Sequence, residues 1–514
     1  MTRMAPNEPV EVELKLLLPE HARAALERHP ALQAPCATAP ETREEHTVYF
    51  DTPLLSLAGK GLSLRVRRCG PARVQTLKSA GDGYTVAASR GEWEWRIDQD
   101  VPDLSCVAET PFGAEIAAAG ASGLLPVFET DIRRTVRSLL LAGETVAEAA
   151  VDVGRVFAGE ATQDVNELEL ELKRGAPGPL YRLALDLHAT VPFIIGVESK
   201  AQRGQRLLMG KAPVAVKRGP PPLDGDGPTS EAVRRIIGAA LGQLLANQPA
   251  AAVGDVEGVH QMRVGIRRLR TALALFGKHL EPYASRRFEA ELKRLGQVFG
   301  NARDWDVFCT QILPDAEKDE IAKGWVELLR TPAEASRQVA HRELEEELTR
   351  PAITALVLGM AAGVEPDDAG SPVAGDDALN RPIRQLAHAL LDRIARRVPK
   401  RGGHPRRRSA EELHALRKAL KKLRYSGDYL AAIYPPKPVK QYQKASKRLL
   451  KLLGTGTDAA MATRLAGRLC AGARSEVAPA AAALVQWSDK RRDKALRKLP
   501  EIWAIFAAAP AFWR

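Results

Sequence analysis

Short stretches in the first two hundred residues alternate charged and aliphatic side chains with a period of two. Glu11-Val12-Glu13-Leu14-Lys15 is the first. Leu62-Ser63-Leu64-Arg65-Val66-Arg67 repeats it with cations, Glu92-Trp93-Glu94-Trp95-Arg96 with mixed charge, and Glu167-Leu168-Glu169-Leu170-Glu171-Leu172-Lys173 with carboxylates. This period marks a β-strand with two unlike faces. One such strand alone is ordinarily a sheet with a solvated, salt-bridged face. Here several strands concentrate both signs of charge, with Glu and Arg where solvated strands usually carry Thr, Ser or Lys. A barrel with a charged interior accounts for this. Such a lumen suits a strongly anionic ligand held by Arg and Lys, with carboxylates holding metal ions.

At 514 residues the chain is too long for one core, and 45% hydrophobic content is ample for two or three. The net charge of +12 is uneven. Residues 1–210 carry 23 Lys+Arg against 29 Asp+Glu, and the remainder 52 against 34. The C-terminal part therefore favours a polyanion. Five scattered cysteines (36, 69, 106, 309 and 470) with no C-x-x-C pair argue against a zinc site or disulfide framework and fit a reducing compartment. Met1 to Val10 has no apolar targeting region, and no segment approaches the roughly 18 apolar residues of a membrane span. The expectation is a soluble cytoplasmic protein without a membrane partner.

Turn residues such as Pro53, Gly59, Gly61, Gly70-Pro71, Gly81-Asp82-Gly83 and Gly91 punctuate residues 1–205. They predict a mainly antiparallel β-domain with helices near Pro111–Ala119 and Leu180–Thr190. The Pro/Gly-rich run Lys211–Thr229 reads as a linker. Beyond Ser230 the period becomes 3.6, broken near Gly363–Asp377 and Pro399–Arg408. The expected domains are 1–210, a linker 211–229, and an all-helical 230–514. The helical half also repeats itself. An ungapped offset of 154 pairs His260 with His414, Arg263 with Arg417, Arg267 with Lys421 and Arg270 with Arg424. It continues through Pro282 and Pro436, Gly300 and Gly454, and Asp304 and Asp458. Two related helical bundles facing across a pseudo-twofold axis are the expected structure.

On the strands, Glu11 and Glu13 share a face, as do Glu167, Glu169 and Glu171. Like charges this close repel unless cations lie between them. Oxygen ligands with no His or Cys nearby select Mg²⁺ or Mn²⁺ over zinc. Asp152 is a further acid inside an apolar run. The cations Lys15, Arg65, Arg67, Lys78, Arg90, Lys200 and Arg203 suit a chain of phosphates, with Arg as the bidentate partner.

These residues resemble the CYTH superfamily, the triphosphate tunnel metalloenzymes. Its E-x-E-x-K signature stands here as Glu11, Glu13 and Lys15. Tyr49-Phe50-Asp51-Thr52-Pro53, Gly61–Arg67, Thr76-Leu77-Lys78, Ser89–Glu94, Asp152, Glu167–Glu171 and Ser199–Gly204 continue the match in order over residues 8–208. The resemblance implies an eight-stranded antiparallel barrel holding a linear triphosphate, and metal-assisted hydrolysis at a terminal phosphoryl group. One ion is expected at Glu11, Glu13 or the late glutamates, and a second near Asp152 and Glu169 or Glu171. The same resemblance places a tunnel cation at Arg134, with Arg133 one residue away facing the other side.

On a helix His260, Arg263, Arg267 and Arg270 share a stripe about 80° wide, and His414, Arg417, Lys421 and Arg424 repeat it. Met262, Ile266, Leu269, Leu273 and Phe276 form the adjoining apolar face, while Arg268 and Lys422 fall outside the stripe. This half resembles the CHAD domain over roughly 230–510, which implies polyphosphate binding by these basic residues. Two positions depart from the repeat: Thr457 lies opposite Arg303, and Ala460 opposite Asp306. Asp304 and Asp458 are expected to cap or orient helices. Nucleic acid is the rival ligand, but aromatics are 5% of the chain and none interleaves with either stripe. The expected function is a metal-dependent inorganic triphosphatase whose helical half binds long-chain polyphosphate and associates with polyphosphate granules. The alternatives are a non-catalytic polyphosphate adaptor, or a tunnel enzyme acting on thiamine triphosphate or ATP.

Overall fold

The structure is a computed structural model that describes residues 10–33, 38–81, 83–280, 282–320, 322–366, 377–403, 408–471 and 477–514. Residues 1–9, Cys36, Asp82 and parts of the two expected helix breaks lie outside these. The chain divides into two compact units. One holds the residues up to Val214 together with a segment beginning at Thr349, and the other holds the rest.

In the first unit eight antiparallel strands close on themselves. They are β1 (Val10–Leu17), β2 (Glu41–Asp51), β3 (Leu62–Cys69), β4 (Ala72–Ser79), β5 (Ala88–Arg96), β6 (Leu125–Leu140), β7 (Val146–Ala158) and β8 (Ala161–Arg174). The order around the barrel is β1-β5-β4-β3-β2-β6-β7-β8 and back to β1, and the two-residue strand β9 (Ile194–Ile195) also pairs with the end of β1. Closure removes the open edges that a flat sheet exposes. Gly70, with φ 56°, and Gly159, with φ 61°, supply the positive φ that tight turns between twisted strands require.

The barrel inverts the usual arrangement. Leu14, Leu16, Leu64 and Leu77 face outward and are wholly buried. Leu64 and Leu77 pack there with Leu57, Val107 and Ile116. The alternate residues of the same strands are the charged ones, and they face the lumen.

The expected N-terminal helices stand at Gly113–Ala121 and at α1, Gly178–His188. Helix α2, Lys200–Leu208, starts with a reciprocal cap. Ser199 Oγ accepts from the Gln202 N–H, and Gln202 Oε1 accepts from the Ser199 N–H. It packs against β6, β7 and β8, with Ala201 in a cluster that includes Tyr49, Phe128 and Ile132.

The second unit is helical. Helix α3, Val256–Phe276, and helix α6, Ala410–Leu430, begin and end 154 residues apart to the residue. The next pair, α4 at Pro282–Val307 and α7 at Pro436–Ala471, begins with the same offset. Met262, Ile266, Leu269, Leu273 and Phe276 are all buried, as their spacing predicts.

Two features are corrections to the sequence picture. Helix α5, Pro351–Ala362, lies between the two repeats in sequence but belongs to the barrel unit, where it packs on α1. Pro351 O is 2.9 Å from His188 Nε2, and Pro366 O accepts from the Gly178 N–H at 3.1 Å. Its composition explains the docking: Ile353, Leu356, Val357, Leu358 and Met360 leave it apolar nearly all round. The expected linker is also tied down where it enters the helical unit. Asn247 Oδ1 and Gln243 Oε1, on buried side chains, accept from the Val216 and Arg218 N–H groups at 2.8 and 2.9 Å.

Candidate functional site

Strand pairing decides which charges meet inside the barrel. The register sets Glu11 opposite Arg90, Lys78 opposite Glu92, and Lys15 opposite Glu169. It also sets Asp152 directly opposite Glu167, Glu13 opposite Glu171, and Glu148 opposite Glu171. Opposed carboxylates destabilise a sheet unless cations lie between them. They surround a cavity of about 770 Å³ lined by nine carboxylates and nine Lys or Arg side chains. A lumen with balanced charge gives no net attraction to a bare polyanion but suits one that brings its own cations.

Asp152, Glu167 and Glu169 offer oxygens within 4.8 Å of one another, all buried. Lys200 Nζ donates to Asp152 Oδ2 at 2.6 Å, Glu167 Oε1 at 2.6 Å and Glu169 Oε1 at 2.8 Å. Lys15 Nζ donates to Glu167 at 2.9 Å and also to Glu169, and lies 3.0 Å from Glu13. Burial acts against the charge on Lys15 and Lys200, but these carboxylates outweigh it and hold both ammoniums above their ordinary range. Burial pushes Asp152 up, against Lys200 and Arg134. Glu169 is buried too, yet Lys15, Lys200 and Arg134 hold it well below the usual carboxylate range.

Arg134 lines the lumen, 2.7 Å from Glu169 and 3.4 Å from Asp152, whereas Arg133 is mostly exposed. Glu11 meets Lys78 at 2.9 Å and Arg90 at 2.8 Å; burial opposes its charge, but these cations keep it ionised. Arg90 also reaches Glu13 at 2.5 Å. Arg65 lies 3.8 Å from Glu92, and Arg67 3.7 Å from Glu45. Glu171 is in the lumen but outside the buried trio, paired with Lys173 at 2.7 Å, and burial raises it. Glu167 and Arg203 do not line the cavity. They pair with each other behind its wall.

Asp51 serves the fold, accepting from the N–H groups of Thr52, Leu57 and Ala58. Arg43, Glu45 and Glu148 line the cavity although the motifs do not single them out. Their signal is parity: 43 and 45 alternate in step with Tyr49, and 148 with Asp152.

Among the described residues, three buried atoms of this lumen have no hydrogen-bond partner: the acceptor Asp152 Oδ1 and the donors Arg65 Nε and Arg134 Nε. Buried polar atoms are costly to leave unpaired. A divalent cation fits the first, on a carboxylate grouped with those of Glu167 and Glu169, and an anion fits the other two. Helix α2 holds Lys200 in place through Gly204, where a Cβ would lie 2.2 Å from the Phe128 ring. Gly204→Ala is therefore expected to displace α2 and lower the melting temperature. A wild-type melting temperature would count against this packing role.

In the helical unit, charges on α3, α6 and α7 gather around Lys421. Burial lowers its pKa to about 6, helped by Arg267, Arg417 and Arg263 and opposed by Asp458. His260 is lowered to about 4 by burial and by Arg303, Arg267 and Arg263, against Glu257. His414 is lowered by burial and by Lys418, Arg417 and Lys421, although it is exposed. Arg267 donates to Tyr425 Oη at 3.1 Å. The repeated glycines leave room for the repeated arginines: a Cβ at Gly300 would lie 3.8 Å from Arg263 Nη2, and one at Gly454 3.8 Å from Arg417 Nη2. Arg417 Nε is buried without a partner.

The full stripes do not converge. Arg424 pairs with Asp428 at 3.7 Å, and Arg270 is an exposed neighbour of Lys422. Arg268 is a charge neighbour of Asp428 and Tyr429. Arg303 joins the cluster, and the broken symmetry at Thr457 hid it from the repeat. Asp304 and Asp458 lie inside α4 and α7 and cap neither helix. Asp304 instead bridges Arg263 at 3.5 Å and Arg464 at 2.6 Å. Asp306 is buried between Arg337 and His341 at 2.8 and 2.9 Å.

A closed antiparallel barrel with a charged, carboxylate-rich lumen, joined to a duplicated helical unit with a basic cluster, defines the class of protein. The family models place the chain in it: CYTH domain matches residues 10–204 and CHAD domain residues 235–467. The chain thus carries an N-terminal CYTH domain followed by a CHAD domain. An inorganic triphosphatase of Haemophilus influenzae is 30% identical over 213 residues, 38% of this chain and 54% of that protein. The chain therefore matches about half the length of that relative. An uncharacterized protein of Mycobacterium tuberculosis is 27% identical over 413 residues, 75% of each chain. The crystal structure of the CHAD domain from the plant Ricinus communis is 27% identical, covering 59% of this chain and 98% of that one with a TM-score of 0.43. Among the described residues no helix is long and apolar enough to cross a membrane.

Proposed function

We propose that the barrel hydrolyses inorganic triphosphate to diphosphate and phosphate, and that the helical unit binds polyphosphate. The observation that carries the first part is the coexistence in one cavity of an unpaired buried acceptor, Asp152 Oδ1, and unpaired buried donors on Arg65 and Arg134. A pure anion binder has no use for the buried carboxylate trio. Mg²⁺ or Mn²⁺, held by Asp152, Glu167 and Glu169, would supply Lewis acidity and a water of lowered pKa. The protein's own part is positioning and electrostatics, most of what phosphoryl transfer asks. Arg65, Arg67, Lys78, Arg90 and Arg134 bind the non-bridging oxygens and stabilise charge on the transferring and leaving groups. Lys15 and Lys200 hold the carboxylates in place. The relative named inorganic triphosphatase supports this substrate over thiamine triphosphate and ATP. In the helical unit Arg263, Arg267, Arg417 and Lys421, with Arg303, supply the anion contacts.

The test is phosphate release by the full chain from triphosphate, thiamine triphosphate, ATP and long-chain polyphosphate, each with Mg²⁺, Mn²⁺ or excess EDTA. Triphosphate is expected to be the preferred substrate and EDTA to abolish turnover. Undiminished activity in EDTA would remove the metal mechanism. An inert wild-type protein that still binds polyphosphate would leave the adaptor reading.

A further inference from the structure

Helix α7 carries a second basic feature outside the cluster. Lys437, Lys440, Lys444, Lys447 and Lys451 are spaced 3, 4, 3 and 4 apart, so they fall on one stripe about 80° wide. All five are exposed, and among the described residues none has an ion-pair or hydrogen-bond partner. Arg448, one residue from the stripe, pairs with Glu501 at 3.3 Å. From Lys437 to Lys451 the stripe extends about 21 Å along the helix axis.

The duplication provides an internal control. An offset of 154 maps the five lysines to Tyr283, Arg286, Ala290, Lys293 and Gln297 of α4, of which two are basic. Helix α4 forms in this fold without the stripe, so folding does not require it. Like charges at these spacings repel along a helix, which makes an unpaired run of five a burden to α7. The stripe also has a direction. Gly454, where Arg417 packs against α7, lies one turn beyond Lys451 and within about 20° of Lys447 around the helix. The lysines therefore lead into the cluster.

We infer that the lysine stripe of α7 is a track for long-chain polyphosphate, carrying the part of the polymer that extends beyond the Arg263–Arg267–Arg417–Lys421 cluster. This rests on the polyphosphate reading of that cluster. A single file of compact ammonium charges suits a single-file chain of phosphates that can slide, whereas bidentate arginines would pin it. No aromatic on the stripe can stack a base. None of the exposed large hydrophobic residues of the described chain lies on α7, so the face offers nothing to insert into a bilayer.

The experiment compares full-length wild type with a variant in which the five lysines are Gln, which keeps helix propensity, and with Arg263→Gln/Arg417→Gln. Binding of tripolyphosphate, long-chain polyphosphate, duplex DNA and phosphatidylserine vesicles is measured across a salt series, with circular dichroism to confirm folding. Binding at the barrel adds equally in all three proteins, so it cancels in the difference in bound ligand between variant and wild type. The stripe variant should keep tripolyphosphate binding and lose at least tenfold in long-chain affinity. By analogy with single-stranded nucleic acid, its salt slope should fall by roughly two to four units. The cluster variant should weaken both chain lengths. Unchanged long-chain binding by a folded stripe variant overturns the track, as does an equal loss at both lengths. A loss confined to DNA or to vesicles reassigns the face to that partner and overturns it too. Cluster variants that bind both polymers normally would sink the cluster reading instead, and the stripe would then stand or fall on its own data.

Discussion

On the proposed triphosphatase reading, Asp152→Asn is expected to lower triphosphate hydrolysis by about 10³-fold, the scale of losing one electrostatic partner of the transition state together with metal affinity. The barrel is expected to stay folded and to melt no earlier than wild type. The reason lies in the sign of the shift. Burial raises the Asp152 pKa, so the folded protein holds this proton more tightly than the unfolded chain. Its ionisation therefore costs stability as pH rises above the unfolded value, and an amide removes that cost. Lys200 keeps Glu167 and Glu169 as partners in the variant. Calorimetric titration with Mn²⁺ reports the metal, and phosphate release reports the chemistry. Wild-type turnover in a folded Asp152→Asn protein would falsify the role of the carboxylate trio.

If the helical unit binds polyphosphate as proposed, its affinity is expected to fall by up to about tenfold per pH unit above pH 6, because binding takes up about one proton. The proton goes to Lys421. Its folded pKa of about 6 leaves it uncharged at neutral pH, under the field of Arg263 and Arg267 from α3 and Arg417 on its own helix, with Asp458 of α7 opposing. A bound anion reverses that field and restores the ammonium. Internal phosphates of a long chain are strong acids, so the polymer itself contributes little to the slope. Calorimetry in two buffers of different ionisation enthalpy measures the uptake directly. Lys421→Gln should abolish the uptake, flatten the pH dependence and weaken binding. It should also stabilise the free protein, since holding Lys421 without its proton in the fold costs stability increasingly as pH falls from 10.5 towards 6. Uptake that persists in the variant places the proton elsewhere.

The strands and helices were legible because each has its own local signature. Alternation at Glu11–Lys15, Arg65–Arg67 and Glu169–Glu171 marks lumen-facing positions, and the 154-residue offset lays out helix pairs to the residue. Much of the barrel site followed, since a side chain's face is decided by parity within one strand. Arg43 and Glu45 escaped because β2 shows its parity only once Tyr49 is seen to face inward. Glu167 shares the parity of lumen residues, but its pairing with Arg203 behind the wall depends on where α2 docks. In the helical half the ideal 80° stripe put Arg270 and Arg424 with the cluster. The crossing of α3 and α6 brings together only part of each stripe, and Arg303 enters from a third helix.

By itself the sequence determined the elements, their faces and the duplication, because backbone sterics and the periods of 2.0 and 3.6 act over a few residues. Tertiary structure decided the rest. It closed β1 against β5, set Asp152 opposite Glu167, and took α5 out of the helical repeat to pack on α1. Each of these joins segments distant in the chain, and their outcome depends on which apolar faces and which opposite charges can be buried together.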